Sequence, residues 1–127
     1  MTVNEGALAE QFVGQQLVCA VPEFVDPQLF YWAREARNAN AEVDFVISRN
    51  QDVLPIEVKA GKVGTLRSTY QFLLEKHRGR AVRLHTGSPA LEDVKLPGED
   101  RTVKLLSLPL YAVGQLDRLL GVAFPEP

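Results

Sequence analysis

Three charged residues interrupt two apolar segments of the sequence and could do chemistry together. Asp44 lies in the segment VDFVIS, and Glu57 and Lys59 lie two residues apart in the segment VLPIEVK. A charge inside a core strand costs free energy unless it is paired or serves a purpose. Because side chains alternate along a strand, Glu57 and Lys59 are expected to share one face of the second segment.

The short polar turn RNQD separates these two segments and predicts that they pair as neighbouring strands. Alternation then places Val43, Phe45 and Ile47 on one face of the first strand and Asp44 on the other. Pairing would bring Asp44 close to Glu57 and its neighbouring lysine. Two converging carboxylates repel each other unless a cation lies between them, and a few hard oxygen ligands favour Mg²⁺. With a lysine to steady a phosphate or orient a water, the set predicts metal-dependent phosphodiester hydrolysis.

Hydrophobic spacing indicates the elements that must position these residues. A helix is predicted from Asn4 to Ala20, where Leu8, Phe12, Val13 and Leu17 recur at helical spacing. The segments LFYWA, VDFVIS and VLPIEVK predict an antiparallel meander of three strands. Proline lacks an N–H group, so Pro55 should face a gap or bulge in the pairing.

A second helix is predicted to end near Gly79, with one face formed by Leu66, Tyr70, Leu73 and His77. The strand RAVRLHT follows, and a helix between two strands predicts a parallel pairing through a right-handed crossover. Residues 87–101 form a polar segment without a predicted element, and TVKLLSLPL predicts an edge strand.

The last predicted element is a closing helix, whose apolar positions are Leu110, Val113, Leu116 and Leu120. The order αβββαβ plus a C-terminal strand and helix predicts an α/β fold, in which helices flank a mixed sheet of four to five strands. The length of 127 residues fits a single domain over residues 1–127.

Composition excludes several classes of protein. Hydrophobic residues make up 46% and charged residues 24% of the chain, the profile of a globular protein. Cys19 is the only cysteine, which excludes an intramolecular disulfide and suits a cytoplasmic location. Neither a signal peptide nor an apolar run long enough to span a membrane is expected.

The net charge of −2 hides a basic segment, because residues 59–83 hold seven Lys or Arg residues and one Glu. Such a segment could attract DNA phosphates or form an ordinary solvated surface. Within it, Lys62, Arg67 and Ser68 stand at the turn into the second helix, where backbone N–H groups also favour anions. These three could hold DNA phosphates, or they could be ordinary polar residues at a helix entry.

Asp44, a gap of twelve residues, and then Glu57-Val58-Lys59 resemble the PD-(D/E)xK nuclease superfamily, which includes many restriction enzymes and Holliday junction resolvases. The element order over residues 4–86 also resembles its restriction-endonuclease-like core. The resemblance implies that Asp44 and Glu57 ligate Mg²⁺, for which Mn²⁺ would substitute, and that the Val58 carbonyl and Glu10 assist. It implies that Lys59 orients the attacking water and steadies the phosphate.

The resemblance has departures and a narrower form. Val43 stands before Asp44, where the superfamily pattern has proline. More narrowly, residues 29–68 resemble the nuclease-like C-terminal domain of bacterial AAA-type ATP-binding proteins of unknown function. This similarity extends back to residues 9–17 and forward to residues 108–116, nearly the whole chain. No phosphate-binding loop of the Walker type occurs, so this chain alone is not the ATPase. It would be a free-standing relative or the C-terminal part of a longer protein with an upstream ATPase domain.

Alternative interpretations accompany each of these predictions. Asp44, Glu57 and Lys59 could form a surface ladder of salt bridges, and Glu10 could be an exposed helix carboxylate. The leading function is that of a Mg²⁺-dependent DNA hydrolase, which would need a partner domain or a homodimer for sequence-specific cutting. The competing function is a catalytically silent regulatory, DNA-binding or assembly module of an ATPase. Its indication is that the apolar segments LFYW, LLSLPL and GVAF exceed what a small core covers.

Overall fold

The computed structural model describes residues 5–19, 30–33, 42–59 and 66–125. Within these ranges, three α-helices and six strands follow one another along the chain. Their order is α1 (Glu5–Cys19), β1 (Phe30–Ala33), β2 (Glu42–Arg49), β3 (Asp52–Lys59), α2 (Arg67–Lys76), β4 (Arg80–His85), β5 (Ala90–Lys95), β6 (Thr102–Pro109), a 3₁₀ helix (Leu110–Gln115) and α3 (Leu116–Ala123).

The described strands form one mixed sheet in the order β1-β2-β3-β4-β6-β5. Strands β1, β2 and β3 form an antiparallel meander, β4 lies parallel to both β3 and β6, and β5 pairs antiparallel with β6. The predicted α/β class, meander and parallel crossover are therefore confirmed. In the described part of the chain, no helix combines the length and apolar character that crossing a membrane requires.

Helices cover both faces of this sheet. Helix α1, the 3₁₀ helix and α3 pack on one face, where the buried residues include Val13, Ile56 and Leu120. Helix α2 packs on the other face, where Phe72 and Leu73 meet Leu105. We call these the α1 face and the α2 face. Gly14 permits a close approach of α1, because a Cβ atom there would lie 3.2 Å from the ring of Phe45.

The C-terminal half of the sheet differs from the prediction. The polar segment 87–101 contains strand β5, which the sequence did not reveal because five of its six side chains are exposed. Strand β6 is not at an edge but lies between β4 and β5. Its interior position explains the near-continuous burial from Leu105 to Pro109, since both faces of that strand are covered.

The helices also differ in detail from the prediction. The buried face of α2 consists of Thr69, Phe72 and Leu73, whereas Tyr70 is half-buried. His77 is exposed and ends the helix in a left-handed conformation, with φ of 53°. The closing helix is divided into a 3₁₀ turn and α3, which together bury Val113, Leu116 and Leu120.

Candidate functional site

The hairpin between β2 and β3 fixes the relative position of the acidic residues. Its two-residue turn, Asn50 and Gln51, has φ values of 51° and 67°, the positive values that a tight type I′ hairpin requires. The turn sets the register that pairs Ile47 with Leu54 and Phe45 with Ile56. One further step of this register would place Asp44 opposite Glu57.

Strand β2 is irregular at Asp44. Phe30 of β1 pairs with Val46 and Trp32 pairs with Val43, so three steps along β2 face two steps along β1. This is the geometry of a β-bulge. It changes the predicted face of Val43, which packs in the α2-side cluster rather than with Phe45 on the α1 face.

Beyond the last residue pair of the ladder between β2 and β3, the side chain of Asp44 makes the next hydrogen bond between the two strands. Its Oδ2 atom accepts a hydrogen bond from the backbone N–H of Val58 at 2.8 Å. The N–H and C=O groups of one residue in an extended strand point to the same side, so the Val58 carbonyl is expected on the β2 side of β3. Asp44 is thereby held beside the strand that carries Glu57 and Lys59.

Glu57 and Lys59 lie on the α2 face of β3, because Ile56 and Val58 alternate with them and pack on the α1 face. The Nζ atom of Lys59 lies 3.1 Å from Oε1 of Glu57. Glu57 is only 8% exposed, and its Oε2 atom is buried without a hydrogen-bond partner among the described residues. The predicted set of Asp44, Glu57 and Lys59 therefore meets at one place in the sheet.

The surroundings of Glu57 disfavour its charged form. The net effect raises the pKa of Glu57 to about 7, with burial as the largest cause and the charge of Asp44 as the second. Lys59 lowers the pKa of Glu57 through its hydrogen bond and its charge. A hydrogen bond that the carboxylate accepts from the backbone of Asp44 also lowers it. A carboxyl group that gains and loses its proton near neutral pH is typical of functional sites.

The donors at this place fit a small hard cation. The candidate ligands are the Glu57 oxygen that has no hydrogen-bond partner in the described part of the chain, the Asp44 carboxylate and the Val58 carbonyl. Mg²⁺ accepts oxygen ligands of these kinds while it keeps several waters. Within the described ranges there is no group of three or more His, Cys, Asp or Glu residues that could hold a metal. Asp44 and Glu57 would be two side-chain ligands, and Mg²⁺ in proteins is usually bound through one or two carboxylates.

Glu10 is not joined to Asp44 and Glu57 in such a group. It lies half-buried on α1, one turn before Val13, which packs on the α1 face. Glu57 lies on the opposite face of the sheet. A contribution of Glu10 to a metal site stays a prediction.

The residues predicted to hold phosphates are partly described. Arg67 is exposed at the first residue of α2, and Ser68 is half-buried beside it. Lys62 lies outside the described residues. The N-cap residue of α2 is Leu66, and its side chain makes no capping hydrogen bond.

The rest of the basic segment is divided between distant partners. Arg78 and Arg80 approach Asp52 at the hairpin, at 3.6 and 4.0 Å. Arg80 also lies over the ring of Phe124, 5.0 Å from its centre. Arg78 and Arg80, two residues of the basic segment, therefore have partners at the hairpin and at Phe124.

Sequence reasoning missed two residues of the neighbouring strand β4. In the parallel ladder Arg83 pairs with Glu57, and His85 pairs with Lys59. Directly opposed residues share a sheet face, so Arg83 and His85 extend the site on the α2 face. The alternation of the segment RAVRLHT carried this signal, but the register that places the two residues beside the acidic pair is not visible in the sequence.

Comparison with models of protein families gives a match. The sequence profile of a family described as "Domain of unknown function (DUF4143)" matches residues 5–111, which include every described strand and helices α1 and α2. No curated protein matches the chain.

Proposed function

This chain belongs to the DUF4143 family, and from that premise we propose that it is a Mg²⁺-dependent hydrolase of DNA phosphodiester bonds. Mn²⁺ would substitute for Mg²⁺. The described elements from α1 to β4 follow the order αβββαβ, which agrees with the resemblance to the PD-(D/E)xK nuclease superfamily. We further propose a cytoplasmic location, and an ATPase domain of the AAA type as a partner upstream.

The observation that carries this proposal is the state of Glu57. A surface ladder of salt bridges would leave its carboxylate in water, yet Glu57 is buried and only one of its oxygens meets Lys59. The other oxygen has no hydrogen-bond partner within the described structure. A buried unpaired carboxylate oxygen is costly, and a cation shared with Asp44 would remove that cost.

The residues would divide the work as follows. Asp44, Glu57 and the Val58 carbonyl would hold the ion, which when bound would polarise a phosphate and lower the pKa of a water molecule. Lys59 would keep a positive charge beside the phosphate and orient the attacking water, and its contact with Glu57 fixes its position. Arg67 would contribute a phosphate contact outside the reacting centre.

Nicking of a supercoiled plasmid with Mg²⁺ or Mn²⁺ tests this proposal. We expect nicking by the wild type and a loss of about a hundredfold or more in Lys59→Ala and Glu57→Gln. Lys104→Ala is the matched control, because Lys104 is an exposed lysine of β6 that pairs with Asp93. If Lys59→Ala nicks the plasmid as fast as Lys104→Ala, the role assigned to Lys59 is wrong. If the wild type does not nick the plasmid, the proposed hydrolase activity is wrong.

A second candidate is a catalytically silent regulatory, DNA-binding or assembly module of an ATPase. The observation in its favour is a set of large apolar side chains left exposed: Leu8, Phe12, Leu91, Tyr111 and Val122. The segment LLSLPL, which suggested surplus apolar surface, is instead largely buried in β6. Tight DNA or partner binding by both wild type and Lys59→Ala, without nicking by either, would favour this candidate. A homodimer would show as a doubled mass in solution.

A further inference from the structure

Two opposite charges lie side by side on the α2 face without pairing. Glu57 and Arg83 are directly opposed in the parallel ladder of β3 and β4, where strands lie about 4.8 Å apart. An arginine side chain is long enough to reach a carboxylate at this distance. In the described structure, however, Glu57 pairs with Lys59, and the guanidinium of Arg83 has other partners.

Those partners hold Arg83 away from Glu57. The Nε atom of Arg83 donates to Oγ of Ser107 at 3.0 Å, and Ser107 is fully buried on β6. The Nη2 atom lies 3.8 Å from Oε1 of Glu92 on β5. The guanidinium therefore extends along the sheet toward β6 and β5, and neither contact uses its Nη1 atom.

The two contacts differ in strength. Ser107 is buried and can fix the position of the guanidinium, whereas the Glu92 side chain is 52% exposed. A long contact between an exposed carboxylate and an arginine contributes little, so an incoming anion could replace it. The Arg83 side chain is 25% exposed and is therefore accessible from solvent.

The surroundings of Arg83 also suit an anion. Lys59 and His85 form the next row toward the carboxyl ends of β3 and β4, the end of a parallel sheet where ligands usually bind. The Nε2 atom of His85 lies 3.1 Å from the carbonyl oxygen of Ser88. Tyr70 of α2 lies near enough to Arg83 and Glu92 for both charges to act on its hydroxyl.

We infer that Arg83 is a phosphate-binding residue of this site, positioned by Ser107 and separated from Glu57 so that a cation and a phosphate can be bound side by side. The inference rests on the proposed function, because it names the contact for the phosphate group next to the metal-binding carboxylates. Arginine suits this task since its planar group donates two parallel hydrogen bonds to a phosphate. The alternative is that Arg83 only ties β4 to β6.

Measurement of DNA affinity distinguishes these two roles. The affinity is measured by fluorescence anisotropy of a short labelled duplex, with Ca²⁺ in place of Mg²⁺ to limit cleavage. We expect Arg83→Gln to weaken binding about tenfold at low salt. We also expect the slope of log affinity against log salt to fall by about 1, a change that a purely structural role would not produce. Arg118→Gln is the matched control, since Arg118 is an exposed arginine of α3 whose hydrogen bond in the described structure is to Gln115.

Equal affinity and equal salt slope in Arg83→Gln and Arg118→Gln would overturn the inference, and so would a wild type that binds no DNA. Plasmid nicking is read separately. A wild type that nicks while both variants bind alike would refute Arg83 alone, whereas DNA binding that depends on Arg83 without any nicking would refute the hydrolase alone. If Arg83→Gln does not fold, Arg83→Lys replaces it as the test variant. Lysine keeps the positive charge but lacks the planar guanidinium that donates two parallel hydrogen bonds, so we expect DNA affinity to fall about threefold. Unchanged affinity would overturn the inference.

Discussion

The Oδ2 atom of Asp44 accepts the backbone N–H of Val58 at 2.8 Å, where the regular pairing of β2 and β3 has ended. A carboxylate thus performs the task of a backbone carbonyl, and its negative charge is fixed next to Glu57. The contact explains how a bulged strand can still place an acidic side chain accurately. It also links the structure of the hairpin to the protonation of the site.

Replacement of Asp44 by asparagine tests this link. The amide oxygen of Asn can still accept the Val58 N–H, so the fold should be kept, but the negative charge is removed. Because the charge of Asp44 raises the pKa of Glu57, we expect that pKa to fall in Asp44→Asn. Carbon-detected NMR titration of the Glu57 carboxyl measures it, and an unchanged pKa would contradict the proximity of the two groups.

The stability of the metal-free protein should depend on Glu57 between about pH 4.5 and 7. The folded-state pKa is raised, so the folded protein binds more protons than the unfolded chain in this range, and stability falls as the pH rises. The full effect is at most about 3 kcal/mol. Urea unfolding across this range should show the decline in the wild type and a flatter profile in Glu57→Gln. In Glu75→Gln, a control at an exposed glutamate of α2, the decline should persist.

Divalent cations should stabilise the protein by binding only to the folded state. At a concentration of one hundred times Kd the expected gain is about 2.7 kcal/mol. Thermal unfolding with and without Mg²⁺ measures this gain, which should be larger at pH 8 than at pH 6, because a proton on Glu57 competes with the ion. Glu57→Gln and Asp44→Asn should lose most of the shift. A full shift in both variants would place the ion elsewhere.

Thr69 offers a test of packing that is separate from the site chemistry. It is fully buried on α2, and its Oγ1 atom has no hydrogen-bond partner among the described residues. Valine has the same shape without the hydroxyl, so we expect Thr69→Val to stabilise the fold by about 1 kcal/mol. Ser68→Ala on the same helix is the comparison, and a net destabilisation by Thr69→Val would show that the hydroxyl is in use.

Local sequence patterns were sufficient to predict the central strands of the sheet. Alternating apolar residues and the turn RNQD predicted the strands that carry Asp44, Glu57 and Lys59, and the structure brings these three residues together. The helix after them predicted the parallel pairing of β4, because neighbouring parallel strands need a crossover connection and this is usually a helix. These features depend on residues close together in the chain.

The missed features depend on contacts between distant segments. Val43 changes face because pairing with Trp32 creates a bulge, and no local pattern contains that information. Strand β5 has almost no buried side chain of its own and exists because β6 offers it a partner. In the sequence, Arg83 is one of several charges in a basic segment. Only the pairing register of β3 and β4 shows that it lies beside Glu57.

Strand β5 forms one of the two edges of the described sheet, and this position has a consequence for the behaviour of the protein at high concentration. Its side chains Glu92, Asp93 and Lys95 are exposed along an edge whose backbone groups could otherwise recruit a strand from another molecule. Charged residues on such an edge discourage intermolecular β-pairing, since each new strand would have to bring them close together. By pairing with β6, the charged strand β5 covers the backbone edge of that apolar strand and so reduces the risk of aggregation.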